Sequence, residues 1–224
     1  MSYTPMSTQP GMYVQKEFIE GLRKLKTASL IYIISALLVG IGFSAALMSG
    51  LAFGARGAAF GGVGVLAAAI VGALLGLVAL FAFLIPAFSH LKNADPSMFG
   101  TPATLVKIGY AIGFILFIIG IGLILAVVAT GNPAMALGGI GLFILGAIFL
   151  LIGLIGVAIG MFKLKDKTGD TLFLVAGILF IIGIFIGILQ FIAWILVFVA
   201  ANSAINKLST MPPQGYTPAQ PQLR

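Results

Sequence analysis

The stretch TLFLVAGILFIIGIFIGILQFIAWILVFVAA, residues 171–201, is 31 residues long and contains no charged residue. A helix of about 20 apolar residues crosses the hydrocarbon core of a bilayer. The stretch is therefore long enough to span a membrane. Because it is too short for two crossings, we expect one span that tilts or projects beyond the bilayer.

Four similar apolar runs precede this stretch. The five predicted spans cover residues 27–50, 62–88, 104–128, 136–162 and 171–201. Breaks between them are clearest at Pro96, at Pro102 and in the TGNP turn that ends at Pro133. The chain is 61% hydrophobic and only 8% charged, whereas soluble domains contain about 25% charged residues. We therefore predict an all-α fold, a polytopic transmembrane helix bundle with five spans within residues 27–209.

The connection between the first two predicted spans is ambiguous. Residues 51–64, LAFGARGAAFGGVG, are apolar enough to lie in a membrane, but several glycines and Arg56 interrupt them. The segment is either a tight external turn, which is our preferred interpretation, or a re-entrant segment.

Both ends of the chain are polar and contain proline. Residues 1–12 and 210–224 have too few apolar side chains to pack, so we predict disordered tails. Next to the first tail, residues 13–26 place Val14, Phe18 and Leu22 at helical spacing, with charged residues on the other faces. This short amphipathic juxtamembrane helix either lies in the membrane interface or forms the first turns of the first span.

The positions of the basic residues orient the predicted spans. With five crossings and a cytoplasmic N-terminus, nine bases lie inside and three outside. The inside bases are Lys16, Arg23, Lys24, Lys26, Lys92, Lys107, Lys163, Lys165 and Lys167, and the outside bases are Arg56, Lys207 and Arg224. Bases favour the cytoplasmic side of a membrane. We therefore predict a multi-pass protein of the cell membrane with an external C-terminus.

Short clusters of bases border the apolar runs. Bases in such positions contact anionic lipid headgroups. The candidate lipid-headgroup residues are Arg23, Lys24, Lys26, Lys163, Lys165 and Lys167. Although the net charge is +7, these positions favour membrane lipids as partners, and we do not expect nucleic acid to bind.

The predicted spans contain few groups that perform catalysis. The chain has no cysteine and one histidine, His90, at the inner end of the second span. All five acids fall in the predicted inner segments, close to lysines. Intramembrane ionisable groups are the usual sign of a proton or ion pathway. We therefore expect no enzymatic activity, no catalytic residue, no cofactor and no metal site.

Gln190 is the most informative polar residue within the spans. It lies near the middle of the last predicted span, where an amide facing lipid would be costly. We expect it to face protein, where it either makes an interhelical hydrogen bond or lines a pore or a ligand site.

Glycine is abundant, with 30 residues, and the fourth predicted span contains the clearest pattern. Its glycines repeat every seven residues at Gly139, Gly146, Gly153 and Gly160. A smooth seam of this kind lets another helix approach closely. We take these four glycines and Gln190 as candidate helix-packing residues. The seam packs either within the chain or between copies in a homo-oligomer.

The stretch GLRKLKTASLIYIIS, residues 21–35, is followed by Gly/Ile/Leu-rich spans and a Pro/Gln-rich tail. This arrangement resembles an uncharacterised family of small archaeal multi-pass membrane proteins. The resemblance implies the plasma membrane of an archaeon, and it supplies no activity and no functional residue.

These observations predict a non-catalytic structural or accessory subunit that associates through glycine-rich helix faces. Its expected partners are membrane lipids and either a second copy of the chain or another membrane protein. The alternative is a small channel or facilitator for an uncharged solute, with Gln190 and the glycine seams lining the route.

Overall fold

The computed structural model describes residues 10–210, except for the side chains of residues 10–12, 55–60, 66, 128 and 129. Most of the two predicted tails, residues 1–9 and 211–224, lies outside this part of the chain. Every regular element within it is helical: α1 (Pro10–Val78), a π-helical segment (Ala79–Leu84), α2 (Ile85–Ala94), α3 (Pro96–Thr130), α4 (Pro133–Thr168), α5 (Thr171–Ile182) and α6 (Gly187–Thr210). The all-α prediction is confirmed.

Five helical stretches are long and apolar enough to cross a membrane, as the sequence predicts. They are Tyr13–Gly54, Gly61–Ala94, Pro96–Val127, Pro133–Thr168 and Gly187–Thr210. Helix α5 is a shorter apolar helix of 12 residues, or about 18 Å.

Helix α1 reverses direction at Gly54. This glycine has φ +62° and ψ −141°, a backbone conformation that a residue with a side chain rarely adopts. The first arm (residues 10–53) and second arm (residues 55–78) then run antiparallel. A Cβ added at Gly61 would lie 2.7 Å from the Cα of Ala46. Residues 51–64 therefore form a tight reversal between two arms rather than a separate re-entrant segment.

Helices α3 and α4 form a second antiparallel pair. Asn132 caps α4 by accepting a hydrogen bond from the Ala134 N–H, and Gly131 ends α3 in the left-handed conformation. Pro102, which the sequence suggested as a break, lies inside α3. As the seventh residue of α3, Pro102 removes one helical hydrogen bond, the one that an N–H there would donate to the Met98 carbonyl, and the helix continues past it.

The structure corrects the prediction that residues 171–201 form one helix. The chain turns back at residues 183–186, so that α5 and α6 form a helical hairpin. The rings of Phe180 and Trp194 lie 4.8 Å apart between centroids, whereas an unbroken helix would separate these residues by about 21 Å. We call residues 183–187 the hairpin tip. No charged residue or proline marks it in the sequence.

The hairpin returns the chain to the end of the bundle where it began. Gln15 donates a hydrogen bond to the Leu208 carbonyl, and Lys26 donates one to the Asn202 side chain. Helix α6 therefore runs antiparallel to the first arm of α1. The predicted placement of the two termini on opposite sides assumed one continuous helix over residues 171–201, whereas the two ends of the described chain lie at the same end of the bundle.

The loops and helix ends divide between two ends of the bundle. At the basic end, α1, α3 and α5 begin and α2, α4 and α6 end. At the far end lie the Gly54 reversal and the α3–α4 turn. Two contacts tie the basic end together: Glu17 lies 2.8 Å from His90, and Asp95 lies 3.0 Å from Lys167.

The bundle is packed at one end and open at the other. The packed half comprises residues 13–32, 79–110, 154–180 and 193–210. It contains every large side chain that is completely buried, including Phe88, Phe99 and Phe173. The apolar face of residues 13–26 belongs to this core, with Leu22 and Leu25 completely buried. This segment therefore forms the first turns of α1 and packs within the bundle.

The open half comprises residues 33–78, 111–153 and 181–192. Among its described residues, every buried one is a glycine: Gly72, Gly113, Gly120, Gly139, Gly146, Gly153 and Gly183. The two arms of α1 touch each other, and so do α3 and α4. Many large apolar side chains on these pairs stay exposed, such as Leu51 at 85% and Phe53 at 75%.

Candidate functional site

The glycine seam of α4 packs within the chain. A Cβ added at Gly146 would lie 2.7 Å from the Phe117 N, and one added at Gly139 would lie 2.9 Å from the Gly120 carbonyl oxygen. Gly153 lies under the Tyr110 ring. These three glycines let α3 approach α4 at backbone distance. The seam therefore presents its close-packing surface to its own chain rather than to a second copy.

Gly160, the last glycine of the seam, has a different neighbour. It lies against the ring of Phe88 on α2. The sequence repeat does not distinguish this position from the other three, because α2 approaches α4 only in the packed half. The seam thus joins α4 to two different helices.

Gln190 lies on α6 just after the hairpin tip. A Cβ added at Gly183 would stand 2.9 Å from the Gln190 backbone N, so glycine at position 183 lets α5 and α6 meet. The Gln190 amide is partly exposed and makes no hydrogen bond with any described residue. The structure therefore does not supply the interhelical hydrogen bond that was one of the two interpretations.

An aromatic cluster lies beside the tip. Tyr32 of α1 stacks on Trp194 of α6 with 4.4 Å between ring centroids and 18° between planes. The edge of Phe180 meets the same indole. Tyr110 of α3 lies within electrostatic range of the Tyr32 hydroxyl. The cluster joins α1, α3, α5 and α6 where the packed half meets the open half.

The polar atoms of this cluster have no partner among the described residues. The Tyr32 and Tyr110 hydroxyls and the Trp194 indole N–H make no hydrogen bond there. Yet no fully buried side-chain nitrogen or oxygen in the described part lacks a partner. The unpaired atoms of Tyr32, Tyr110, Trp194 and Gln190 therefore open onto accessible space.

A groove lies next to the tip on the side of the far end. It has a volume of about 720 Å³, and its lining includes Ala36, Gly40 and Ser44 of α1 together with Gly187 and Ile188 of α6. Helix α6 begins at this level and covers α1 from here to the basic end. The Ser44 hydroxyl donates to the Gly40 carbonyl, so the groove wall presents an apolar surface.

The six candidate headgroup residues lie at the basic end and divide into two sets. Lys26 donates to Asn202 at 2.8 Å, Lys165 pairs with Asp166, and Lys167 pairs with Asp95. The side chains of the other three make no hydrogen bond or ion pair with a described residue. These three are Arg23, Lys24 and Lys163.

Asp95 carries the clearest electrostatic feature of the basic end. Hydrogen bonds from the Ser97 hydroxyl and from Lys167 hold the pKa of its carboxyl below the ordinary value of 3.8. The carboxylate also accepts from the Met98 N–H and so caps α3. Asp95 therefore acts as a structural residue that joins the α2–α3 corner to the end of α4.

Within residues 10–210, no group of three or more His or acidic side chains lies close enough together to hold a metal ion. His90 contacts only one carboxylate, that of Glu17. This contact ties the first arm of α1 to α2 in the packed half.

Comparison with known proteins assigns the chain to a family. The family model described as "Protein of unknown function (DUF973)" matches residues 18–224. The chain belongs to this family. The family description carries no activity, so candidate sites in this DUF973 chain come from its own geometry. No curated protein and no solved structure matches it.

Sequence reasoning on this DUF973 chain missed the hairpin tip and the aromatic cluster. One signal was available: the tip begins and ends with glycine, at Gly183 and Gly187, which are four residues apart. The cluster gave no such signal, because Tyr32 and Tyr110 look like interfacial anchors, and only the fold of α5 against α6 brings Trp194 to them.

Proposed function

We propose that this multi-pass membrane protein is a non-catalytic structural or accessory subunit, and that its open half receives a membrane partner. The observation that carries the proposal is a set of glycines with no atom within 4 Å of the position that a Cβ would occupy. In the open half they include Gly40, Gly62, Gly64, Gly122, Gly138 and Gly141.

We call a glycine with no atom within 4 Å of its Cβ position an unoccupied glycine. Such glycines matter more for helix association in a membrane than in water. Apolar side chains gain little by leaving lipid, so helices associate through close van der Waals packing at small residues. Glycine also weakens a helix by about 1 kcal/mol relative to alanine. Glycines that contact nothing in their own chain are therefore well suited to the close approach of another helix, from a second copy or from a different protein.

The charge pattern supports a role without catalysis. Between Lys107 and Lys163 the chain contains no charged residue, and between Lys26 and Lys92 it contains only Arg56. Acid–base chemistry and ion coupling need ionisable groups at the reacting centre. Association with lipid and with other apolar helices needs none.

The alternative function, a channel for an uncharged solute, has less support. Phe88, Phe173 and Phe180 are completely buried in the packed half. A route along the bundle axis would have to displace these rings. Gln190 lies on the far side of this layer, so it cannot by itself provide a continuous polar path.

We also propose that both ends of the described chain face the cytoplasm. The chain has 12 bases; Arg224 lies outside the described residues and Arg56 is in the Gly54 reversal, which leaves ten bases nearer the basic end. This ten-to-one distribution follows the preference of bases for the cytoplasmic side. For the same eleven bases, five crossings would give nine to two, which is less asymmetric.

Lipid contacts at the basic end complete the proposal. Arg23, Lys24 and Lys163 have no ion-pair partner among the described residues, which suits contact with anionic headgroups. Nucleic acid remains outside the proposed partners. The resemblance of residues 21–35 to archaeal membrane proteins supports the plasma membrane of an archaeon as the location.

The mass of the particle extracted gently from its native membrane tests the subunit role. We expect more than one protein chain per particle, and a single chain per particle when Gly138 and Gly141 are both replaced by Leu. Replacement of Ile118, which is 57% exposed, by Leu is the matched control and should leave the mass unchanged. A wild-type particle with one chain and only lipid would contradict the proposal.

Single cysteines test the orientation, since the chain has no native cysteine. We expect an impermeant thiol reagent added outside cells to label Asn132→Cys and to leave Thr168→Cys and Ser209→Cys unlabelled until the membrane is opened. External labelling of position 209 would place the end of α6 outside and reject the cytoplasmic placement.

A further inference from the structure

Four hydrogen-bond donors lie close to the hairpin tip. They belong to Tyr32, Tyr110, Gln190 and Trp194. Gln190 and Trp194 are one turn apart on the same face of α6, Trp194 stacks on Tyr32, and Tyr110 lies within electrostatic range of Tyr32. Tyr32 is six residues beyond Lys26, or about 9 Å along the helix axis. The donors therefore lie within the apolar length of the bundle.

Unpaired donors at this depth are costly. A hydroxyl or amide that leaves water without a new partner loses free energy, and hydrocarbon offers no acceptor. Polar residues inside membranes therefore usually mark a function. The donors make no hydrogen bond with the described residues and open onto accessible space. An acceptor brought by a ligand would satisfy them.

The chemistry of the cluster defines the ligand. The indole N–H can only donate a hydrogen bond, while each phenol and the amide can both donate and accept one. None of the four side chains is charged at neutral pH, so a charged ligand would be left unbalanced. The groove beside the tip has apolar walls and a volume of about 720 Å³, and it is open at the outer surface of the bundle. A ligand can thus reach the tip from within the membrane.

We propose that the cluster of Tyr32, Tyr110, Gln190 and Trp194 binds a lipid-soluble, uncharged molecule through a hydrogen-bond-accepting oxygen, such as a ketone, quinone or ester carbonyl. A carbonyl oxygen accepts two hydrogen bonds, which the Tyr32 and Tyr110 hydroxyls donate, and the apolar part of the molecule lies in the groove. This proposal rests on the four donors, whereas the subunit role rests on the glycines without a neighbouring atom, of which Gly40 also lines the groove.

The only tryptophan of the chain reports on the site directly. Trp194 lies in the cluster, so its fluorescence senses a carbonyl that binds there. The probe is a long-chain ketone with its carbonyl at mid-chain, added to the full chain in nanodiscs of ether lipid, which contain no carbonyl. We expect saturable quenching by the ketone and none by an alkane of the same length.

Two conservative variants test the donors. Tyr32→Phe and Tyr110→Phe remove one hydroxyl each and keep the ring, and a hydrogen bond of typical strength changes affinity by about twofold to tenfold. We expect each variant to weaken ketone binding by that factor and the double variant to weaken it further. Tyr13→Phe, at an exposed position, is the control and should bind as the wild type does.

The outcomes separate the proposal from its rivals. Equal binding by the wild type and the double variant, with matching circular dichroism, would overturn it, and so would quenching by the alkane as strong as that by the ketone. Nanodiscs of ester lipid identify the source of the oxygen. Weaker apparent ketone binding there assigns the natural ligand to the lipid ester, and unchanged binding assigns it to a free solute.

Discussion

Phe99, at the basic end, is completely buried, whereas Phe53, near the far end, is 75% exposed. The contrast extends to the whole of each half. In the packed half, six helical segments surround a core of large side chains. In the open half, pairs of helices touch through glycine, and their large side chains point outward.

The difference shows that two kinds of packing operate in one bundle. Side-chain cores lose van der Waals contacts and leave cavities when a large residue is truncated. Glycine contacts fail in the opposite way, since an added methyl group forces two backbones apart. The two halves should therefore respond to opposite kinds of substitution.

The largest effect should come from truncation in the packed half. Phe99→Ala should lower the free energy of unfolding by about 3–5 kcal/mol, because it leaves a cavity the size of a ring. Phe53→Ala, its matched partner in the open half, should change the free energy by less than about 0.5 kcal/mol. Reversible unfolding of the two variants in mixed detergent micelles measures both. Similar losses would abolish the distinction between the halves.

Addition of a methyl group should have the next largest effect. In Gly146→Ala the new Cβ would lie 2.7 Å from the Phe117 N, so α3 and α4 must separate at a cost of about 1–3 kcal/mol. In Gly141→Ala the Cβ meets nothing within 4 Å, and the better helix propensity should stabilise the protein by up to about 1 kcal/mol. The two thermal unfolding midpoints should therefore shift in opposite directions.

The hairpin tip offers a third matched pair, with a smaller effect. Gly183→Ala should cost about 1 kcal/mol, since its Cβ would stand 2.9 Å from the Gln190 N, although the turn can widen to relieve part of the clash. Gly187→Ala should be neutral because nothing lies within 4 Å of the new atom. Trp194 emission should shift in the first variant only, and a shift in both would show that the tip does not position α6.

The smallest effect concerns the corner at Asp95, where the packed half meets water. The pKa of the Asp95 carboxyl is lowered from its ordinary value of 3.8, so the ionised carboxylate stabilises the fold at pH values above 3.8. This contribution disappears as the pH falls through the lowered pKa. Asp95→Asn keeps an N-cap residue and removes the charge.

The ion pair of Asp95 with Lys167 is partly exposed. Asp95→Asn should therefore lower the free energy of unfolding by less than about 1 kcal/mol at pH 7. The difference from the wild type should shrink as the pH falls and vanish once it is below the lowered pKa, since the Asp95 carboxyl is then protonated. Urea titrations of both proteins at several pH values measure it. A difference that stays constant down to the lowest pH would assign the effect to capping geometry and not to charge.

The sequence predicted much of the fold because the membrane acts on composition. Apolar length gave the helices, and Pro96 and Pro133 marked where α3 and α4 begin. The seven-residue repeat from Gly139 also selected a face of α4 that contacts other helices of the bundle. These features depend on local length and periodicity, which can be read without knowing the neighbours of a helix.

The hairpin tip could not be read in the same way. The turn that follows Gly183 carries no polar residue to mark it, although its side chains are exposed, with Phe185 86% exposed, as suits a turn that faces lipid rather than water. The charge count then placed Lys207 on the wrong end of the bundle. The aromatic cluster was hidden for a related reason: Tyr32 and Trp194 are 162 positions apart in the sequence, and only the return of α6 stacks their rings.

The short length of α5 has a consequence for biogenesis. At about 18 Å, this helix cannot hold the chain across a bilayer, and the backbone groups of its turn would be exposed to hydrocarbon if it entered alone. The earlier helices must therefore already be assembled when α5 and α6 arrive, since α4 and α1 supply the surfaces on which they fold. Synthesis from the N-terminus provides this order, because α1 to α4 leave the ribosome before α5 and α6.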